Sequence, residues 1–202
     1  MGIYRVKPAF QHSLGGIEDW LVARQVHPDR LTYAAFLLSA LGGLCLYLAP
    51  RWSWLVAPMP VVAVARTALN ALDGLVAKRA GLARPWGEVL NEFCDRLADV
   101  ALLGGIALAE PSNHLLGGAT LVAMLLSSYL AILSKAAGGP RQYAGPMGKA
   151  DRMVLLAVVA PSGLVLPLGA VYNSFLALVL VGLVLTVIRR GRATYRDLQP
   201  AR

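Results

Sequence analysis

Charged residues, histidine and cysteine are scarce in this sequence. Of its 202 residues 15% are charged, whereas about 25% are charged in an average soluble domain. The two cysteines, Cys45 and Cys94, each lie within an apolar run, and the three histidines lack ligand spacing. These features argue against a disulfide framework and a zinc site. Hydrophobic residues make up 57% of the chain and the mean hydropathy is +0.59, so the sequence predicts a protein whose solvent is lipid.

Positive charge exceeds negative charge, with 19 lysines and arginines against 11 aspartates and glutamates. In a soluble protein this excess would raise the question of nucleic acid binding. Here the basic residues lie between apolar runs, and no aromatic-interleaved basic patch accompanies them. We therefore expect no nucleic acid partner and interpret the excess as a topology signal. Residues 1–30 carry charges throughout, unlike the apolar stretch of a signal peptide.

Six segments approach the length of about 20 mostly apolar residues that a membrane-spanning helix needs. Because a backbone in lipid must satisfy its own hydrogen bonds, each segment is predicted to be helical. The predicted spans are 31–49, 54–78, 87–109, 114–135, 152–171 and 173–190. Four prolines are expected to kink or shorten these helices, namely Pro58, Pro60, Pro161 and Pro167. No repeat or long linker divides the chain, so residues 1–202 are expected to form a single all-α integral membrane bundle of six transmembrane helices.

The loops between these spans differ strongly in charge. With a cytoplasmic N-terminus, sixteen lysines and arginines at the ends of the spans or beyond them fall on the cytoplasmic side and only Arg51 falls on the other. Lysine and arginine are enriched in cytoplasmic loops. The sequence therefore predicts a multi-pass protein of the cell inner membrane with both termini cytoplasmic.

A shorter amphipathic pattern precedes the first span. Residues 8–27 place Phe10, Leu14, Ile17 and Leu21 at helical spacing with charges between them. This pattern predicts an interfacial helix on the cytoplasmic surface. A disordered arm is the alternative, because the pair Gly15-Gly16 weakens a helix.

Polar residues in spans two and three form two stripes. Asn70 and Asp73 lie three residues apart, and Asn91, Asp95 and Asp99 follow at intervals of four, so each set shares one helix face. Antiparallel helices joined by a short loop bring such stripes together below the cytoplasmic surface. Carboxylate and amide oxygens are the ligands of hard divalent cations, and a cation site suits chemistry on a diphosphate. The alternative is polar contact between helices.

These stripes resemble the signature of the CDP-alcohol phosphotransferase superfamily, integral-membrane enzymes of phospholipid synthesis. The family pattern is D-x2-D-G-x2-A-R-x8-G-x3-D-x3-D, and every spacing is kept here. Five signature identities are kept: Asp73, Gly74, Ala77, Gly87 and Asp95. The departures are Asn70, Asn91 and Lys78. Pro28 and Thr32 are similar to the family's P-N-x-x-T segment, with Asp29 in place of its asparagine.

The resemblance implies a cytoplasm-facing site at which CDP-diacylglycerol or another CDP-alcohol transfers its phosphoalcohol group to an acceptor hydroxyl and releases CMP. It implies Mg²⁺ or Mn²⁺ as cofactor, with Asp95 also the general base. The implied metal positions are Asn70, Asp73, Asn91 and Asp95. The implied nucleotide pocket is shaped by Asp73, Gly74, Ala77, Lys78 and Gly87. It also implies a homodimer.

The two asparagines change the charge of the implied metal site, because four aspartates neutralise two divalent cations and Asp73 and Asp95 supply only half of that charge. Three outcomes are open. One metal binds instead of two, a second metal enters only with the diphosphate, or Glu92 or Asp99 replaces the lost charge. Asp99 is the better substitute, because it lies one turn beyond Asp95 on the same face. We expect one strong site and a substrate-dependent second.

The basic loop from Lys135 to Arg152 offers contacts for an acceptor phosphate. Arg141, Lys149 and Arg152 are the candidates, since guanidinium groups match phosphate geometry; anionic lipid contact is the alternative. Arg66 is expected either to pair with Asp73 or Asp99 or to contact substrate. Two rival functions remain open: a non-catalytic relative that binds CDP-lipid, and a small transporter that uses the buried acids as a relay.

Overall fold

The computed structural model describes residues 7–199, and the side chains of residues 10–199. The described residues form eight α-helices: α1 Lys7–Ser13, α2 Gly15–Ala23, α3 Pro28–Leu48, α4 Met59–Arg79, α5 Pro85–Leu108, α6 His114–Ala136, α7 Lys149–Val159 and α8 Leu168–Asp197. Two 3-10 helices, Ser53–Val56 and Ala160–Leu164, precede α4 and follow α7. No strand occurs within residues 7–199. The all-α prediction is confirmed.

Prolines and polar caps determine where most of these helices begin. α3 starts at Pro28, α5 starts at Pro85, and Pro60 is the second residue of α4. Proline costs nothing in a first turn, because its missing N–H would have no partner there. At α6 the side chain of Asn113 accepts a hydrogen bond from the Leu116 N–H at 3.0 Å. Pro161 lies in the 3-10 helix after α7, so the prolines bound helices here and do not kink them.

Four segments are long and apolar enough to cross a membrane: Pro28–Leu48, Ser53–Arg79, His114–Ala136 and Leu168–Asp197. These four helices indicate a membrane protein. The total of six membrane spans stays a prediction. Predicted span three coincides with α5, which carries charged residues, and predicted span five coincides with the short α7 and its 3-10 helix. The sequence predicts that spans five and six are separated near residue 172. In the structure the separation lies before Leu168, because the Pro167 carbonyl accepts the first hydrogen bonds of α8.

The predicted helix over 8–27 is two helices in the structure, α1 and α2, which meet at Leu14. Leu14 and Leu21 are buried in a small core with Leu31 of α3 and with Leu72 and Val76 of α4. This contact holds α2 against the end of α4. On the opposite face of α2 the side chains remain exposed, and its position at a membrane surface stays a prediction.

Helix α3 packs so closely on α5 that only glycine fits at their contact. A Cβ atom on Gly105 would lie 2.1 Å from the Gly43 carbonyl oxygen, and one on Gly43 would lie 2.1 Å from the Ala101 carbonyl oxygen. The backbones of the two helices therefore touch. Small residues allow this approach between membrane helices.

The order of packing leaves a space between α4 and α5. α3 packs against both of these helices, whereas α4 and α5 make little direct contact with each other. α7 packs against α4, α6 packs against α5, and α8 packs against α6. The cavity described next lies in this space, among α4, α5 and α7.

Candidate active site

A short turn brings the two polar stripes to the same end of the bundle. α4 ends at Arg79 and α5 begins at Pro85, so residues 80–84 join antiparallel helices. The turn places Gly81 at a φ of 66°, a left-handed conformation that glycine adopts without strain. The Leu82 N–H closes the turn on the Ala77 carbonyl at 2.8 Å. The stripes therefore begin at similar depth on either side of the space.

Asp73 is the signature acid on α4, and its side chain is buried. It is 3% exposed, and its Oδ2 accepts a hydrogen bond from the Thr32 hydroxyl at 3.1 Å. Its Oδ1 is buried and has no hydrogen-bond partner among the described residues. An unpaired carboxylate oxygen is costly to bury, so this atom is available to a ligand.

Asp95 lies opposite on α5 and is paired with a lysine from α7. Lys149 Nζ contacts Asp95 Oδ1, and Arg96 lies 3.8 Å from Asp95 Oδ2. The charges of Asp95 and Lys149 both act on the Asp73 carboxyl. The structure therefore brings the two signature aspartates within electrostatic range of each other, with one ammonium group beside them.

Asp99 does not face this pair of acids. It is 1% exposed and lies among three arginines from three helices. Its Oδ1 is 2.6 Å from Arg66, and its Oδ2 is 2.5 Å from Arg152 and 3.3 Å from Arg96. Both oxygens are thus used by guanidinium groups, which leaves Asp99 poorly placed to supply charge to a metal. Of the two alternatives for Arg66, the structure shows the pairing with Asp99.

Glu92, the other candidate for replacing the lost charge, is also paired. Arg141 contacts Glu92 Oε2, and Arg96 lies 3.4 Å from Glu92 Oε1. Arg141 also stacks near the ring of Tyr143, 5.6 Å from its centroid. Each of the three basic residues proposed for an acceptor phosphate is therefore already next to an acid.

A cavity of about 420 Å³ lies beside Asp95, a size that suits a small ligand; neither Asp73 nor Asp99 is among its lining residues. Five of the predicted site residues line it: Asn70, Asp95, Arg141, Lys149 and Arg152. Its other end is apolar and is lined by Ala63, Val64, Val154 and Ala157. The cavity therefore joins a charged end to an apolar end.

The remaining predicted residues lie outside the lining of this cavity. Gly74 is exposed, and a Cβ atom placed on it would meet nothing within 4 Å. Lys78 is exposed, whereas Ala77, Gly87 and Asn91 are partly buried. These residues lie along the outer part of the stripes, where the space beside Gly74 is open.

The oxygen donors that this site offers to a cation are two signature carboxylates and two asparagine amides. Asp73 offers an unpaired oxygen, and Asp95 lies within electrostatic range of it. Asn70 Nδ2 is buried and unpaired, and turning the amide over presents its oxygen at the same position. No group of three or more His, Cys, Asp or Glu side chains within the described part of the chain could hold a metal. A cation there therefore needs asparagine oxygens as ligands.

Sequence reasoning missed several residues of the cavity. Arg190 belongs to a basic cluster near the C-terminus that resembles a lipid anchor, yet it is 7% exposed and lines the cavity. Its guanidinium donates to the Ser127 carbonyl at 2.7 Å. Gln142 and Tyr143 also line the cavity. Arg96 lines the cavity as well, and its position in an apolar segment was the available signal for it.

Comparison with known proteins gives relatives and a fold. No family model matches the chain. The inner membrane protein YnbA of Escherichia coli is 34% identical over 194 residues, which is 96% of each chain. The archaetidylinositol phosphate synthase of Pyrococcus horikoshii is 26% identical over 156 residues, covering 77% of this chain and 80% of that protein.

A solved structure has the same fold. The phosphatidylinositol phosphate synthase of Mycobacterium tuberculosis with CDP-DAG bound has a TM-score of 0.74 at 20% identity, covering 93% of this chain and 97% of that one. Its complex with manganese and citrate has a TM-score of 0.75 at 21% identity, covering 93% of this chain and 92% of that one. Because YnbA is similar along almost the whole length of this chain, the chain belongs to the same family as YnbA, and its more distant relatives are named as inositol phosphate synthases of the kind that its signature spacing resembles.

Proposed function

We propose that the chain is a phosphatidyltransferase that moves the phosphoalcohol group of a CDP-alcohol, with CDP-diacylglycerol the preferred donor, to an acceptor hydroxyl. The observation that carries this proposal is a cavity whose charged end is lined by Asp95 and whose other end is apolar, together with the buried and unpaired Oδ1 atom of Asp73 on the neighbouring helix α4. A lipid-linked diphosphate has the same two-part character. Its acyl chains suit Ala63, Val64 and Ala157, and its phosphates suit the charged end.

The reaction balances as a displacement at phosphorus. The acceptor hydroxyl oxygen forms a bond to the phosphorus of the phosphoalcohol group, and the bond from that phosphorus to the CMP oxygen breaks. CMP leaves with the bonding electron pair. Asp95 takes the proton of the acceptor hydroxyl, a role for which a carboxylate within hydrogen-bond reach is suited.

Asp73, Asp95 and Asn70 are the residues that would hold Mg²⁺ or Mn²⁺, with Asn91 as a further amide ligand. When bound, such a cation offsets phosphate charge and stabilises the leaving group. Asp99 remains with its arginines in this proposal, and its role is to hold α4, α5 and α7 together. Gly74, Ala77, Lys78 and Gly87 border the nucleotide.

Arg141 and Arg152 are the proposed contacts of an acceptor that carries a phosphate, because both line the cavity and both present guanidinium groups. The relatives named as inositol phosphate synthases favour a phosphorylated polyol as acceptor. The site faces the cytoplasm in this proposal, and two chains form a homodimer.

The test is a CMP-release assay in which the purified chain receives CDP-diacylglycerol, Mn²⁺ and a panel of alcohols with and without phosphate. Asp95→Asn is the blank, and Asp19→Asn makes the same chemical change on exposed α2, outside the cavity. We expect release by the wild type and by Asp19→Asn and none by Asp95→Asn. Equal release by all three proteins would contradict the proposal.

A non-catalytic relative is the second candidate, and the two asparagines favour it. In that case the wild type releases no CMP with any acceptor, whereas Asn70→Asp combined with Asn91→Asp gains release. If the wild type turns over and the double variant does not exceed it, the non-catalytic alternative is excluded.

A further inference from the structure

Lys149 is held in a fixed position beside the signature acids. It is the first residue of α7, and its Nζ contacts Asp95 Oδ1. The start of α7 is capped, because the Gly148 N–H donates to Asp151 Oδ2 at 2.9 Å. The Lys149 side chain is 23% exposed and the Asp95 side chain is 14% exposed. The Lys149 ammonium group therefore lines the cavity.

The charged groups near Lys149 show which carboxylates its ammonium group can neutralise. Asp95, Asp99 and Arg66 act on it electrostatically, and it acts in turn on Asp73. Both Asp99 oxygens are occupied by Arg66, Arg96 and Arg152. The Lys149 ammonium group therefore contacts one signature carboxylate, that of Asp95, and lies within electrostatic range of the Asp73 carboxylate.

The charge balance at this position favours one divalent cation. Two such cations would add four positive charges beside Lys149 and only two carboxylates. Neighbouring positive charges repel each other strongly in a partly buried site. One divalent cation with Lys149 leaves a single excess positive charge, which a diphosphate substrate readily neutralises.

We propose that Lys149 is a built-in cation that takes the place of a second metal ion beside Asp95, so that the chain binds one divalent cation and neutralises the substrate diphosphate with that cation and the Lys149 ammonium together. This proposal rests on the proposed transferase function. It agrees with asparagine at positions 70 and 91, because the signature positions then supply two carboxylates and one of these, Asp95, contacts an ammonium group.

The first experiment counts metal ions and needs no turnover. Mn²⁺ is titrated into the purified full-length chain with CDP present, and bound Mn²⁺ is separated from free Mn²⁺ by its EPR signal. We expect one Mn²⁺ per chain for the wild type and two for the triple variant Asn70→Asp, Asn91→Asp, Lys149→Met. Lys135→Met, which removes an exposed lysine on α6 that pairs with Glu88, should bind one. Any wild-type stoichiometry other than one, or one Mn²⁺ in the triple variant, overturns the proposal.

The second experiment asks what the ammonium does. Lys149→Met is expected to lower CMP release by about 100-fold, the scale of losing one charge-stabilising group. Lys149→Arg should stay within about tenfold of the wild type, because it keeps the charge. The triple variant should regain at least about tenfold over Lys149→Met as Mn²⁺ is raised. Unchanged release by Lys149→Met contradicts the role of Lys149.

Failure of the two proposals gives different results. If no protein releases CMP but the wild type binds one Mn²⁺ and the triple variant binds two, the proposed function fails and the assignment of Lys149 stands. If the wild type releases CMP and binds two Mn²⁺, the function stands and Lys149 is a structural ion-pair partner only.

Discussion

The Thr32 hydroxyl donates a hydrogen bond to Asp73 Oδ2 at 3.1 Å and so ties the start of α3 to the signature acid of α4. This contact leaves Oδ1 as the free oxygen of that carboxylate. It also gives Thr32, which is 5% exposed, a positioning role. The orientation of Asp73 therefore depends on a residue 41 positions earlier in the chain.

Replacing Thr32 with valine removes the hydroxyl and keeps the shape of the side chain. We expect kcat/KM for CMP release to fall about tenfold, because losing a hydrogen bond to a charged group costs about 1.5–3 kcal/mol. Thr32→Ser should restore most of the activity. The Mn²⁺ dependence of the rate should shift to higher concentration in Thr32→Val, which a purely structural role would not produce. An unshifted Mn²⁺ dependence would contradict the positioning role.

Asp99 should behave as a structural residue, unlike Asp95. Asp99→Asn leaves Arg66, Arg96 and Arg152 without their shared carboxylate, and breaking a buried ion pair costs about 3–5 kcal/mol. We expect a large drop in the thermal unfolding temperature in detergent. Asp95→Asn should unfold near the wild-type temperature, because its side chain is not fully enclosed and its ion pairs are with Lys149 and, more distantly at 3.8 Å, with Arg96. A wild-type unfolding temperature for Asp99→Asn, with loss of Mn²⁺ binding, would instead place Asp99 at the metal.

The contact of α3 with α5 can be tested with two neighbouring glycines. Gly105→Ala places a methyl group against the Gly43 carbonyl, whereas a Cβ atom on Gly104 meets nothing within 4 Å. Forcing an extra carbon into a close-packed contact typically costs about 1–3 kcal/mol. We expect Gly105→Ala to lower the unfolding temperature and the activity, because α5 carries Asp95. Gly104→Ala should do neither, and equal effects of both substitutions would exclude the close contact.

The helices, and the helix faces on which Asp73 and Asp95 lie, were predictable from the sequence, because spacing along a helix is local information. The partners of the charged residues were not. Asp99 lies on the same stripe as Asp95, yet its carboxylate forms ion pairs with arginines from α4, α5 and α7. Which arginines pair with a buried carboxylate depends on how the helices pack. The spacing of residues along the sequence does not give that packing.

Arg190 and Lys149 show the same limit in the basic segments. Both resemble cytoplasmic loop charges when only their neighbours in sequence are considered. In the structure Arg190 is turned inward by its bond to the Ser127 carbonyl, and Lys149 is directed to Asp95 by the capped start of α7. The broken helix at Leu14 was easier to anticipate, because Gly15 and Gly16 follow it.

The charge asymmetry of the loops predicts that the C-terminus lies in the cytoplasm. Green fluorescent protein fused after residue 199 should therefore fluoresce, and alkaline phosphatase at the same position should be inactive. Fusion after Arg51, in the turn between α3 and the first 3-10 helix, should give the reverse result. Active phosphatase at the C-terminal position would place the site on the other side of the membrane.

The apolar end of the cavity should select a lipid-linked donor. Val154 lines that end, whereas Val158 on the same helix is 71% exposed and lies outside the lining. Val154→Trp fills the space where acyl chains would lie, and we expect the KM for CDP-diacylglycerol to rise about tenfold, which corresponds to about 1.4 kcal/mol. Val158→Trp makes the same change at an outward position and should leave KM unchanged. A water-soluble CDP-alcohol without acyl chains should be used equally well by both variants, because its binding needs only the charged end. If Val154→Trp impairs both donors alike, the apolar end is not the site of the acyl chains.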